Sequence, residues 1–177
     1  MKKKAHPNSD LAIINRWLMP VVACVLGLGL VALPARLGAQ PVPMPIVPLI
    51  VIYLWAMFRP SAWAGLVIFC LGLAHDLLTF GPLGVWTAIY LITFATVAGL
   101  RRAVLGRPAV TLWAVFALVA VIVAGLAKAL GWLAGVEPSE RLLALQLLFT
   151  VLLYPPVAFL LRPVQATSME FHREDPL

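Results

Sequence analysis

The chain has 177 residues, 63% hydrophobic and 11% charged, with a mean hydropathy of +1.01, against about 45–50% apolar and about 25% charged in an ordinary soluble domain. That composition excludes a soluble globular protein, and six bilayer crossings leave too little chain for a sizeable catalytic or binding domain outside the membrane. In so apolar a chain the net charge of +6 reports membrane orientation rather than nucleic-acid binding. Cys24 and Cys70 both lie inside apolar runs, so neither a disulfide framework nor a cysteine metal site is indicated.

A basic leader, residues 1–16, precedes six runs almost free of charge: 17–33, 46–58, 62–80, 83–100, 109–133 and 142–161. Residues 162–177 form a short tail. A membrane-spanning helix needs about 20 apolar residues, with about 17 to 25 tolerated, so five runs qualify outright. The second has 13 residues; starting it at Pro41 gives 18, but Pro41, Pro43, Pro45 and Pro48 make its beginning irregular. It either spans or dips in and returns.

The distribution of Lys and Arg decides between these. If all six runs cross, ten basic residues share one side and only Arg36 and Arg141 lie opposite, whereas a re-entrant second run gives five against seven. The positive-inside rule therefore predicts six crossings, a single transmembrane domain over 17–161, and a cytoplasmic leader and tail. Trp17, Trp55, Trp63, Trp86, Trp113 and Trp132 all fall near run ends, where amphipathic rings meet headgroups. A cleaved signal peptide fits less well, because the leader is long and Pro34 and Arg36 stand where a small-residue cleavage site belongs. The short links Arg59-Pro60-Ser61 and Gly81-Pro82 predict that runs two, three and four are antiparallel hairpins packed side by side. Residues 101–108 carry three arginines and read as a cytoplasmic loop facing anionic headgroups.

Asp76 is the main ionisable residue inside a run. A charge there costs about 2.5–3.5 kcal/mol at mid-bilayer, so it faces protein or water and needs a partner. At 3.6 residues per turn Gly65, Phe69, Gly72 and Asp76 form one stripe, whose glycines admit a neighbouring helix and point Asp76 into the bundle. Lys128 is the only basic residue well inside a run. Counted from the cytoplasmic side, Asp76 lies about 21 Å and Lys128 about 28 Å deep. Two readings stand for Lys128: an ion pair with Asp76, or snorkelling to the outer interface near Trp132. Two also stand for Asp76, a charge that fixes helix packing or a member of a transport path. His75 points about 100° from Asp76 and reads as a polar contact in the bundle. Gly81-Pro82-x-Gly84 reads as a tight outer turn opening the next helix, and Gly131-x-x-x-Gly135 as a weak packing face. No H-E-x-x-H, G-x-S-x-G, second membrane carboxylate or acidic cluster is present, so no catalytic residue, cofactor or metal is expected.

The segment PIVPLIVIYLWAMFRP followed by GLAHDLLTFGPLGVWTAIYLI, within residues 45–102, resembles the MreD family of bacterial rod shape-determining proteins. The match is to a Gly and an Asp a few residues apart, then Gly-Pro-Leu-Gly opening the next helix. The resemblance implies an all-α membrane protein of the bacterial cytoplasmic (inner) membrane, set beside MreC. MreB, RodA and a penicillin-binding transpeptidase would belong to the same elongation complex. Asp76, Gly81, Pro82, Gly84 and Arg59-Pro60 occupy the family's recurrent positions; Lys128 matches none. The implied role is scaffolding of cell-wall synthesis. The family is also distantly similar to the substrate-binding membrane component of energy-coupling-factor vitamin transporters, which supplies the alternative function.

Overall fold

The computed structural model describes residues 21–29, 36–37, 40–41, 43–58, 63–135 and 139–161. Among them are six helices: α1 over residues 21–29, α2 Val47–Phe58, α3 Ala64–Thr79, α4 Val85–Val104, α5 Ala109–Leu133 and α6 Glu140–Leu160. Among the described residues the one non-helical element is a minimal antiparallel ladder of β1 Arg36–Leu37 and β2 Gln40–Pro41, with Arg36 opposite Pro41. The arrangement is all-α in substance.

Three helices, α4, α5 and α6, are long and apolar enough by themselves to cross a membrane, and α2 and α3 are shorter. Run 62–80, expected to span at full length, is helical over only 16 residues, about 24 Å. Phe80 ends it in the left-handed region at φ 52°.

The short second run forms a helix enclosed by protein. In α2 ten of twelve residues are buried, on every side of the helix, and it packs against α4, α5 and α6. A helix that is apolar all round is a core helix, so the hydrophobicity of α2 serves protein contacts. Its proline-rich start is accommodated because Pro48 lies in the first turn, where its missing N–H would have no helical partner. The freed groups are satisfied from α6: Ile46 N–H donates to Thr150 Oγ1 at 3.0 Å, and Gln146 Nε2 donates to the Met44 carbonyl at 3.1 Å. At the other end Arg101 Nε donates to the Met57 carbonyl at 2.8 Å. In α1, a Cβ on Gly27 would stand 2.8 Å from Val47 Cβ, so the absent side chain lets α1 cross the start of α2.

The expected row of runs two, three and four is corrected. Helix α4 lies between α3 and α2, and α3 packs along α4 alone among its helical neighbours with substantial contact. Arg59 and Pro60, which join α2 to α3, lie outside the described residues. In the core, Tyr53 of α2 meets Phe116 of α5 and Tyr154 of α6 edge-on, with centroids 5.2 and 5.7 Å away, and Phe116 and Tyr154 stack at 4.6 Å. Such pairs add about 0.5–1.5 kcal/mol beyond their area burial. Trp55 is buried in this bundle, so it is core rather than a headgroup anchor.

Candidate functional site

The α3–α4 junction gathers most of the residues singled out from the sequence. Helix α4 begins at Gly84, which adopts φ 95° and has no side chain with which to cap the helix. Its first N–H groups therefore need an outside acceptor, and Asp76 supplies it from α3. Oδ2 accepts from Gly84 N–H at 2.9 Å, Thr87 N–H at 3.3 Å and Thr87 Oγ1 at 2.9 Å, while Oδ1 accepts from Trp86 N–H at 2.8 Å. The carboxylate is 1% exposed. A negative charge at a helix N-terminus is stabilised both by these bonds and by the helix dipole. The expected partner for Asp76 is thus a helix end.

Gly72 explains how the carboxylate gets so close. A Cβ built there would lie 2.4 Å from Thr87 Cα, a clash that only glycine avoids. Gly65 is different, with nothing within 4 Å of its Cβ position, and Phe69 is 45% exposed. The predicted stripe is therefore corrected: the buried face of α3 carries Ala64, Ile68, Leu71, Gly72, His75 and Asp76, rotated from the expected line. In the turn, Gly84 is the residue that needs left-handed freedom, whereas Gly81 shows no positive φ. Pro82 offers its carbonyl to Val85 N–H at 3.4 Å.

His75 shares this buried face with Asp76. Its Nδ1 is hydrogen-bonded to the Tyr90 hydroxyl at 2.6 Å, and its ring stacks on Trp86 with centroids 4.4 Å apart and planes 5° from parallel. Both residues thus bind α4 and share Trp86, whose N–H bonds to Asp76 and whose ring stacks on His75. Thr87, Trp86 and Tyr90 were not singled out as site residues from the sequence. Their signal was available: they lie at spacings of one and three to four residues just after the Gly-Pro-Leu-Gly turn, where a buried acid would look for donors.

Lys128 is not part of this junction. Its ammonium pairs with Glu140 across the α5–α6 connection, and both side chains are more than half exposed, where solvent screens their attraction. Gly131 and Gly135 do not form a packing face either, because α5 ends at Leu133 and Gly135 lies beyond it at φ 74°. A partly open space next to Trp86, bounded also by Gln146 and Thr150, measures about 20 Å³, room for one water. With four donors converging on one carboxylate and His75 held by Tyr90, the chemistry available here is the joining of two helices.

Comparison with curated proteins and with solved structures finds no match. A family model described as rod shape-determining protein MreD matches residues 12–164, which includes α1 to α6 and the whole of the Asp76 junction. The protein is therefore a membrane protein of the MreD family, the family of rod shape-determining proteins.

Proposed function

We propose that this chain is a non-enzymatic scaffold of the cell-elongation complex. It crosses the bacterial cytoplasmic membrane six times with both termini inside and links MreC to the peptidoglycan synthesis enzymes. The observation that carries the reading is the use made of Asp76: the buried carboxylate is consumed in capping α4. That is the economy of a rigid docking body rather than of a reaction centre or an ion path. Membership of a rod shape-determining family supports the same reading. Asp76, Gly72, Gly81, Pro82 and Gly84 then act as architecture that holds α3 and α4 in register. His75 joins that architecture through Tyr90 and Trp86, and Arg59-Pro60 belong to the same proposal as contact positions.

A mild-detergent pull-down of the tagged chain from its native membrane tests this. Recovery of MreC with RodA and a penicillin-binding transpeptidase, and loss of rod shape on depletion, are the expected results. Normal rods after depletion would overturn the scaffold. Recovery of paired cytoplasmic ATPases would instead identify a transporter subunit, a reading to which the water-sized space at Trp86 lends no support.

A further inference from the structure

The turn that joins α3 to α4 carries almost nothing that water favours. Residues 77–85 read Leu-Leu-Thr-Phe-Gly-Pro-Leu-Gly-Val. Their one polar side chain, Thr79, turns its hydroxyl back onto its own helix, donating to the His75 carbonyl at 2.8 Å. Phe80 at the tip is 96% exposed and Leu83 is 68% exposed. Phe80 also holds the left-handed conformation at φ 52° and ψ 28°, a helix-ending position that glycine or asparagine ordinarily fills and that strains a bulky side chain. A turn in water favours the opposite choices, polar side chains with glycine at the left-handed residue.

The backbone follows the same rule. A helix that starts in water can leave its first N–H groups to the solvent. Here the four consecutive N–H groups from Gly84 to Thr87 all have protein acceptors: Val85 bonds to the Pro82 carbonyl at 3.4 Å, and the other three to the Asp76 carboxylate. Internal satisfaction of this kind is what hydrocarbon demands of a chain that leaves the helix.

The length of α4 sets the depth. Arg101 and Arg102, in its last turn, mark one membrane surface, and Arg101 stands 16 residues beyond Val85, about 24 Å along the helix. The hydrocarbon core is about 30 Å thick, and any tilt of α4 shortens the reach. By contrast α5 runs for 25 residues, about 37 Å, so the α5–α6 connection at the same end, with exposed Ser139, Glu140 and Arg141, clears the hydrocarbon. We propose that the α3–α4 turn ends inside the membrane, in the leaflet opposite Arg101 and Arg102, and that Phe80 and Leu83 form a contact surface for the acyl chains just beneath the headgroups. Asp76 then supplies to a submerged turn the acceptors that water supplies elsewhere. The inference rests on α4 crossing the bilayer and is independent of which face is cytoplasmic and of the scaffold role.

The test is spin labelling of the full-length chain in phosphatidylethanolamine–phosphatidylglycerol vesicles. Single cysteines Phe80→Cys and Leu83→Cys, in a Cys24→Ala/Cys70→Ala background, are compared with Ile92→Cys, at an exposed position farther along α4, and with Ser139→Cys. Electron paramagnetic resonance measures collisions with oxygen, which concentrates in hydrocarbon, and with a nickel chelate present on both faces, which stays in water. The labels at 80 and 83 should collide with oxygen more than the label at 139 does, and with nickel little more than the label at 92 does. Nickel collisions at 80 and 83 as frequent as at 139 would overturn the proposal, while a label at 92 that avoids nickel keeps α4 as a span. Frequent nickel collisions at 92 would remove the span and the proposal together. Poor collision with both reagents at 80 and 83 would reveal a protein contact and overturn the lipid surface. Should the cysteine-free background fail to fold, Phe80→Trp in the otherwise unaltered chain decides through its fluorescence difference from wild type. Quenching of that difference by brominated acyl chains supports the proposal, and quenching by aqueous iodide overturns it.

Discussion

A donor stranded in hydrocarbon has no water to turn to, so the four donors gathered by Asp76 set the cost of replacing it. Asp76→Leu leaves Gly84, Trp86 and Thr87 without their acceptor; at about 1–3 kcal/mol for each buried unsatisfied group, the loss should exceed about 3 kcal/mol. Asp76→Asn keeps one oxygen for Gly84 and Thr87 but turns an amide N–H₂ toward Trp86 N–H. It forfeits one hydrogen bond and the charge–dipole attraction, about 1–2 kcal/mol. Unfolding by SDS followed by circular dichroism should rank wild type above Asn above Leu; equal behaviour of Asn and Leu would remove the capping role. The two glycines of α3 give a second contrast. Gly72→Ala forces a Cβ to 2.4 Å from Thr87 Cα and should cost about 1–3 kcal/mol through overpacking. Gly65→Ala meets open space and should be neutral or stabilise by up to about 1 kcal/mol through helix propensity. The sequence marked both glycines alike, since a helical wheel places residues on a face but does not say where along that face the neighbour comes closest.

At the scale of elements, the apolar runs were legible because burial in lipid and burial in protein both demand apolar side chains. That same equivalence hid the difference between α2, enclosed by protein, and α5, largely lipid-facing. Tryptophans near run ends were ambiguous for a related reason: Trp113, though 39% exposed, is tied to a neighbouring helix, its Nε1 donating to the Val151 carbonyl at 3.0 Å. The local logic lies four residues on. Pro155, inside α6, has no N–H to give Val151, and Trp113 of α5 replaces the missing donor. Trp113→Phe should therefore destabilise the α5–α6 pair by about 1–2 kcal/mol. Adding Pro155→Ala, which restores a backbone donor to Val151, should recover most of that loss. A double-mutant cycle by SDS unfolding measures the coupling, and strictly additive effects would separate Trp113 from the proline gap.

On the scale of the whole molecule, the direction of α2 bears on the proposed six crossings. It starts beside Gln146 and Thr150, in the first half of α6, and ends beside Arg101, in the last turn of α4. In an up-and-down bundle α4 and α6 start at the same end, so α2, about 18 Å long, runs parallel to both, from the level of the middle of α6 toward the end where α4 finishes. Its flanking backbone tolerates membrane depth because side chains of α4 and α6 satisfy it. A traversing α2 puts the leader and the 101–108 loop on one side and the α5–α6 connection on the other. In a Cys24→Ala/Cys70→Ala background, single cysteines Ser9→Cys, Arg107→Cys and Ser139→Cys report this through a membrane-impermeant maleimide applied to spheroplasts. Position 139 should label in intact spheroplasts, and positions 9 and 107 only after lysis. If α2 instead returned to its starting side, positions 9 and 107 would fall on opposite faces, and labelling of 107 together with protection of 9 and 139 would require that topology. The basic excess of Arg101, Arg102 and Arg107 argues for the first outcome, since these residues and Lys2 to Lys4 share the cytoplasmic side only when α2 crosses.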